Sequence, residues 1–308
     1  MDTRLAAQRV KAGEKHAPPE EVRSGWRELW NVLTGFPRRQ PLGAIGGVLV
    51  ALLVLLALFA PLLAPFDPKA ARFDTYLPPG GNFLFGTDHL GRDVLSRVIW
   101  GARLSLYVGL TSVGVGVTLG SLWGVATGFF GGPWDTVSQR VVDVLMAFPP
   151  IILALGLMAV LGQSVENVIL VLTVLLAPTA ARTIRSTTLG VKEMMYVEAG
   201  RASGLPNRRI IVRHIVPNVM ATYLVLFSVN IAYAIVVEAA LSFLGLGAPP
   251  DEPSWGGMLT GATQHLERAP WTALFPGLAL SLAVFGLNLL GDAVRDLLDP
   301  KLRGTGSG

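Results

Sequence analysis

"EAGRASGLPNRRIIVRHIVPN", Glu198–Asn218, runs directly into "VMATYLVLFSVNIAYAIVVEAAL", Val219–Leu241. The second string is apolar apart from Glu238 and a few small or amide side chains. As a helix it is about 34 Å long at 1.5 Å per residue, enough to cross a hydrocarbon core about 30 Å thick. The first string is basic and broken by Gly204 and Pro206, so it does not belong in lipid. A polar loop joined to an apolar span is the unit from which this chain is built.

Five other stretches repeat the apolar half: Leu42–Pro65, Leu104–Phe130, Val141–Leu161, Val168–Ala181 and Ala273–Leu290. The fourth of the six is short, and its polar flanks place its start near Ser164 and its end beyond Arg182. Continuous apolar runs without period-two alternation exclude strands. A mean hydropathy of +0.52 and 15% charged residues agree, since soluble domains carry about a quarter. The chain reads as an all-α polytopic membrane protein with six transmembrane helices.

Of the 25 Lys and Arg, 19 fall in residues 1–41, 131–140, 182–213 and the C-terminal tail, all on one side if the six helices alternate. The positive-inside rule then places both termini and the quoted loop in the cytoplasm. Residues 1–41 form a polar tail in which "WRELWNVLTGF" spaces Trp26, Leu29, Trp30, Leu33 and Phe36 as an interfacial amphipathic helix over about 24–37, with a solvated juxtamembrane linker as the alternative. No cleavage site follows the first apolar run, so 42–65 is expected to remain as an anchor. Residues 66–101 form an extracytoplasmic segment with a short helix expected from Asp93. Residues 102–300 hold the remaining spans, with a cytoplasmic loop over 186–217, and 301–308 are a tail.

Several chemistries are excluded. There are no cysteines, hence no disulfide or thiolate metal site. No Lys precedes Ser or Thr, so there is no phosphate-binding P-loop. His16, His89, His214 and His265 are scattered and form no metal-binding pair. No nucleophile elbow is present. A pI of about 9.6 carries no implication of nucleic acid, because the charge is a topology signal; lipid is the expected surroundings.

Within the spans, Gly116, Gly120, Gly124 and Gly128 form a stripe that favours close helix packing over a pore wall. Pro149 and Pro150 fall inside the third span and Pro178 inside the fourth, where each removes a backbone donor. Glu238 lies near the outer end of the fifth, with two readings open: a polar group at the mouth of a pathway, or a structural carboxylate. Mid-membrane carboxylates are nearly absent, which counts against a proton- or sodium-driven carrier. Tyr107, Asn230, Tyr233, Glu238 and Asn288 are polar enough to line a path or to bond between helices.

In the loop, "KEMMYVEAGRAS" is expected to form a short helix ended by Gly204, with Pro206 opening a second helix, "PNRRIIVRHIV", before Pro217. Two short helices tied to a membrane helix make a rigid protrusion that transmits force; an ordinary topogenic loop is the alternative. This stretch resembles the loop motif of permease subunits of binding-protein-dependent ABC importers, Glu-Ala-Ala, three residues, Gly, nine residues, Ile-x-Leu-Pro. It matches at Glu198, Ala199, Gly204 and Pro217 and departs at Gly200, His214 and Val216. "FGTDHLGRDVLSRVIWGARLSL" and "VEAALSFLGLGAPPDEPSWGGML" (Val237–Leu259) are similar to the C-type permease of the dipeptide, oligopeptide and nickel branch, and the resemblance covers about 24–300.

That resemblance implies the type I importer permease fold and a non-catalytic transport subunit in a bacterial-type cell (inner) membrane. It implies a homologous second permease, two P-loop ATPases that carry ATP and Mg, and an extracytoplasmic substrate-binding protein, with no cofactor or metal in this chain. The coupling contact to the ATPases would be Tyr196, Glu198, Ala199, Gly200, Arg201, Ser203, Gly204, Leu205 and Pro206, with Pro217 leading into the fifth helix. Asp88, Gly91, Arg92, Asp93 and Trp255 are candidates to contact the binding protein. Di- or oligopeptides are the expected cargo; nickel or another small solute, a nucleotide-independent carrier and a membrane scaffold are the alternatives.

Overall fold

The computed structural model of the protein describes residues 40–298; the expected helix at 24–37 and the tail at 301–308 lie outside them. The first run forms α1 (Pro41–Leu58) and a one-turn α2 (Ala60–Leu63). The expected 42–65 helix breaks here, where Pro61 opens the new turn. α3 (Val94–Phe130) is continuous from the connecting segment into the second span. The short helix expected from Asp93 is therefore its first turns. Asp93 caps it by accepting from the Ser96 N–H at 2.7 Å and the Ser96 hydroxyl at 2.6 Å, contacts typically worth about 1 kcal/mol.

The third span is two helices, α4 (Gly132–Ala147) and α5 (Pro150–Leu161), bent by 90°. A single kinked helix was expected. Two successive prolines explain the full break: Phe148 and Pro149 are both extended, with ψ of 139° and 127°, as residues before proline are driven to be. α6 (Val165–Lys192) is capped by Ser164, which accepts from Asn167 N–H at 3.0 Å, and runs unbroken through Pro178. After α7 (Met195–Ala202) and α8 (Asn207–Ile210), a π-helical turn (Ile211–Ile215) leads into α9 (Val216–Phe243). Thus Asn207–Phe243 is one long span, not a short helix followed by a separate membrane helix. The wide turn accommodates Pro217, which lacks an N–H: Val216 N–H reaches back to Ile211 O, and the Asn218 side chain donates to His214 O at 2.6 Å. α10 (Trp255–Ala262) and α11 (Trp271–Leu298) complete the chain.

Among the described residues five helices are long and apolar enough to cross a membrane, or six if the bent pair is one span. α3 and α6 are the most extensively packed pair, through the glycine stripe. A Cβ at Gly120 or Gly124 would run into the carbonyl oxygens of Ala177 or Ala181, and one at Gly128 would stand 2.9 Å from Thr188 Cβ. The backbones are in direct contact, as small-residue stripes permit in lipid. α1 crosses α11 in the same manner, where a Cβ at Gly46 would lie 2.6 Å from Leu289 Cβ.

Two buried apolar clusters result. The larger joins α1, α3, α5, α6, α9, α10 and α11. The smaller is built from Val125 and Phe129 of α3, Ile184 and Val191 of α6, Val197 of α7, and Ile210, Ile215 and Val219. It sits where the loop meets the spans.

Candidate functional site

The loop of 193–217 is shaped by a few backbone bonds. Val197 and Gly200 turn inward from α7, while Tyr196, Glu198, Ala199, Arg201 and Ser203 face outward. Gly204 ends α7 with φ of +74°, the left-handed conformation that costs glycine least. Leu205 N–H donates to Gly200 O at 3.1 Å and Gly204 N–H to Arg201 O at 2.9 Å, a complete Schellman termination. Leu205 then packs on the smaller cluster. Pro206 (φ −65°, ψ 145°) caps α8 rather than standing in its first turn, and its carbonyl accepts from Arg209 and Ile210. Pro217 is exposed at the start of α9.

Side chains brace the same unit. The Arg201 guanidinium lies 5.4 Å from the centre of the Phe129 ring, and the Tyr196 and His214 rings are 5.9 Å apart. α7 is thereby held to both α3 and the π-turn. Beside it, Asp135 of α4 receives two bonds of 2.6 Å from Arg185 of α6, and Asp143 pairs with Arg182 and, at 3.9 Å, with Arg140. Sequence reasoning missed these links between α4 and α6; two acidic residues before the double proline and two arginines at one end of a span were the available signal.

At the other end of the bundle the five proposed contact residues are all buried. Asp88 takes Arg92 Nε at 2.7 Å and stands 3.8 Å from Arg97 Nε. Arg92 and Arg97 also reach the carbonyls of Pro250, at 3.3 Å, and Pro68, at 3.0 Å. Gly91 is closed over by Phe73 O, and Asp93 is the cap of α3. Trp255 donates to Val98 O at 3.0 Å and lies against Gly101. These side chains are turned inward and form a scaffold; His89 and Leu90 between them are exposed. Arg97 is the member of this group that sequence reasoning missed. Desolvation holds the His89 imidazole below its ordinary pKa; Asp88 opposes this, and Arg92, Arg97 and His265 add to it.

The five candidate pathway residues are not brought together. Tyr107, Tyr233 and Asn288 are exposed on three different helices, Asn230 bonds back to Leu226 O at 2.6 Å, and Glu238 is buried. None of them lines the apolar cavity of about 460 Å³ between α1, α3 and α11, which Leu53, Phe85, Val98 and Leu282 help to wall.

Residues 116–304 match the family of binding-protein-dependent transport system inner membrane components, and 24–79 match the N-terminal transmembrane domain of oligopeptide transport permease C. The glutathione transport system permease protein GsiD of Escherichia coli O1:K1 is 41% identical over 289 residues, 93% of this chain and 94% of the relative. The chain belongs to this family of permease components. GsiD of Shigella sonnei is likewise 41% identical over the same share. A chain of the MetNI methionine ABC transporter in an inward-facing conformation has the same fold, with a TM-score of 0.51 at 19% identity over 67% of this chain and 96% of that one. The protein is therefore a permease subunit of an ABC importer, a non-catalytic transport component and a multi-pass inner-membrane protein.

Proposed function

We propose that this chain forms half of the translocation pathway of an ATP-driven importer of di- or oligopeptides, pairing with a homologous permease. The loop residues Tyr196–Pro206 dock in a cleft of one of the two P-loop ATPase subunits, which bind ATP and Mg. Both termini and this loop then face the cytoplasm, as the basic residues require. The observation that carries the reading is the shape of α7: its inward face is anchored in a buried apolar cluster while Tyr196, Glu198, Ala199, Arg201 and Ser203 are left exposed. A helix so anchored passes displacement directly to α3, α6 and α9.

Short peptides are the favoured cargo because the similarity extends over the oligopeptide-permease N-terminal domain and because the relatives are named for glutathione, itself a small peptide-like solute. Delivery comes from an extracytoplasmic binding protein that meets the far end of the bundle. Asp88, Gly91, Arg92, Asp93 and Trp255 shape that surface, and His89 and Leu90 touch the partner. Tyr107, Asn230, Tyr233 and Asn288 are assigned to the pathway wall formed with the second permease.

Co-purification from native membranes in mild detergent tests this. Wild type is expected to bring down two P-loop ATPases and a sister permease. Gly204→Pro is expected to lose the ATPases, because proline cannot adopt φ of +74° and lacks the N–H that binds Arg201 O. ATPases retained by the variant, or a wild-type chain that purifies alone, would refute the reading.

A further inference from the structure

The rod Asn207–Phe243 starts in the loop and ends at a buried carboxyl group that coupling, as described, leaves unused. Glu238 is 1% exposed. Ser242, one turn further, donates its hydroxyl to Glu238 Oε1 at 2.8 Å and accepts from Ala248 N–H at 3.1 Å. Ser254, at the end of the connection that follows α9, caps α10 by accepting from Gly257 N–H at 2.9 Å. Among the described residues no Lys, Arg or His forms an ion pair with it. Glu238 Oε2 and Ser105 Oγ are both buried without a hydrogen-bond partner.

The packing around it is tight. A Cβ at Gly256 would run into Ala239 O, and one at Gly101 would lie 2.6 Å from the Trp255 indole. α3, α9 and the 244–254 connection with α10 therefore pack closely on one another near this side chain, which is bonded to a hydroxyl rather than to a charge. Half of its bonding capacity is engaged. A small rotation of α9 against α3 would let Ser105 donate to Oε2, giving the joint a second closed arrangement. Buried polar networks have such discrete arrangements, which is how packed elements carry coupling.

We propose that Glu238 is a positioning residue for transport. Acting through hydrogen bonds rather than charge, it fastens the far end of α9 through Ser242 to the connection before α10 and, in the second arrangement, through Ser105 to α3, so that displacement of the coupling loop reaches the surface where cargo enters. The inference rests on the coupling reading above.

The test uses the whole complex in proteoliposomes, with its own binding protein and labelled glutathione and tripeptides as probes. Assembly, basal ATP hydrolysis, stimulation of hydrolysis by loaded binding protein, and uptake are read in parallel. Glu238→Gln, which keeps the hydrogen-bonding shape, is expected to retain uptake within about threefold, whereas Glu238→Ala assembles with its ATPases but loses stimulation and uptake by about tenfold or more. Ser105→Ala, a milder change, is expected to lose part of the stimulation with assembly intact. Uptake near wild type in Glu238→Ala, or Glu238→Gln as impaired as Glu238→Ala, would overturn the proposal. So would a misassembled Glu238→Ala beside a fully stimulated Ser105→Ala, which would leave a merely structural role. A wild-type complex without ATPases would instead remove the coupling reading and this inference with it.

Discussion

The two ends of the bundle are held by opposite means. At the end formed by residues 66–101 and 244–270, charged and polar side chains are drawn inside: Asp88, Arg92, Asp93 and Arg97 are at most 7% exposed, and Arg92 and Arg97 bond to backbone carbonyls far away in sequence. At the loop end, a small apolar cluster does the holding, and the polar side chains of α7 are left outside. One end draws its charges inside and keeps a shape. The other leaves its chemistry exposed. Under the proposed coupling, the difference separates residues that support a docking surface from residues that form it.

The comparison can be broken by substitution, and the largest effect is expected where both ends depend on the same contact. Gly120→Leu would drive a side chain into the α6 backbone and is expected to abolish a stable membrane-inserted chain, measured as detergent-extractable monodisperse protein. Arg97→Met removes one partner of a buried ion network; a loss of about 3 kcal/mol is typical. It is expected to lower the melting temperature in detergent without displacing the ATPases. Val197→Ala should do the reverse. Two methylenes' worth of burial, about 1.6 kcal/mol, is taken from the cluster under α7, and ATPase affinity is expected to fall about tenfold while the melting temperature changes little.

The smallest effect concerns His89. Its pKa is lowered in the folded protein, so folding disfavours its protonation, and stability present above the unfolded value of about 6.5 is lost as pH falls through it. A slightly steeper loss of thermal stability between pH 7 and pH 5 is expected in wild type than in His89→Gln. Equal slopes would show that the exposed His89 imidazole is as solvated in the folded protein as in the unfolded chain.

Much of this was legible beforehand, for identifiable reasons. Apolar length marks the spans, the Gly116–Gly128 period marks their closest packing, and Gly204 marks the end of α7, because each follows from local geometry. What escaped depends on pairing at a distance. Arg97 reads as one more surface arginine until Pro68 O and Asp88 are placed beside it. Asp88, Arg92 and Trp255 read as surface contacts for the same reason: polarity alone suggests exposure, and their partners lie in other segments. The fusion of α8 with α9 escaped because Pro217 signals a break, whereas a π-turn absorbs it. Conversely, the 90° bend at Pro149–Pro150 exceeds the expected kink because two consecutive residues lack donors.

A chain without cysteine allows the contrast between ends to be measured on a single background. Ala199→Cys on the exposed face of α7 and Leu90→Cys at the other end would each be coupled to the same short bifunctional cross-linker in native membranes, and the adducts identified by mass. The account predicts a P-loop ATPase on Ala199→Cys and none on Leu90→Cys. An ATPase captured from Leu90→Cys, or an Ala199→Cys adduct that never contains one, would contradict the claim that α7 is the surface through which ATP hydrolysis drives this permease.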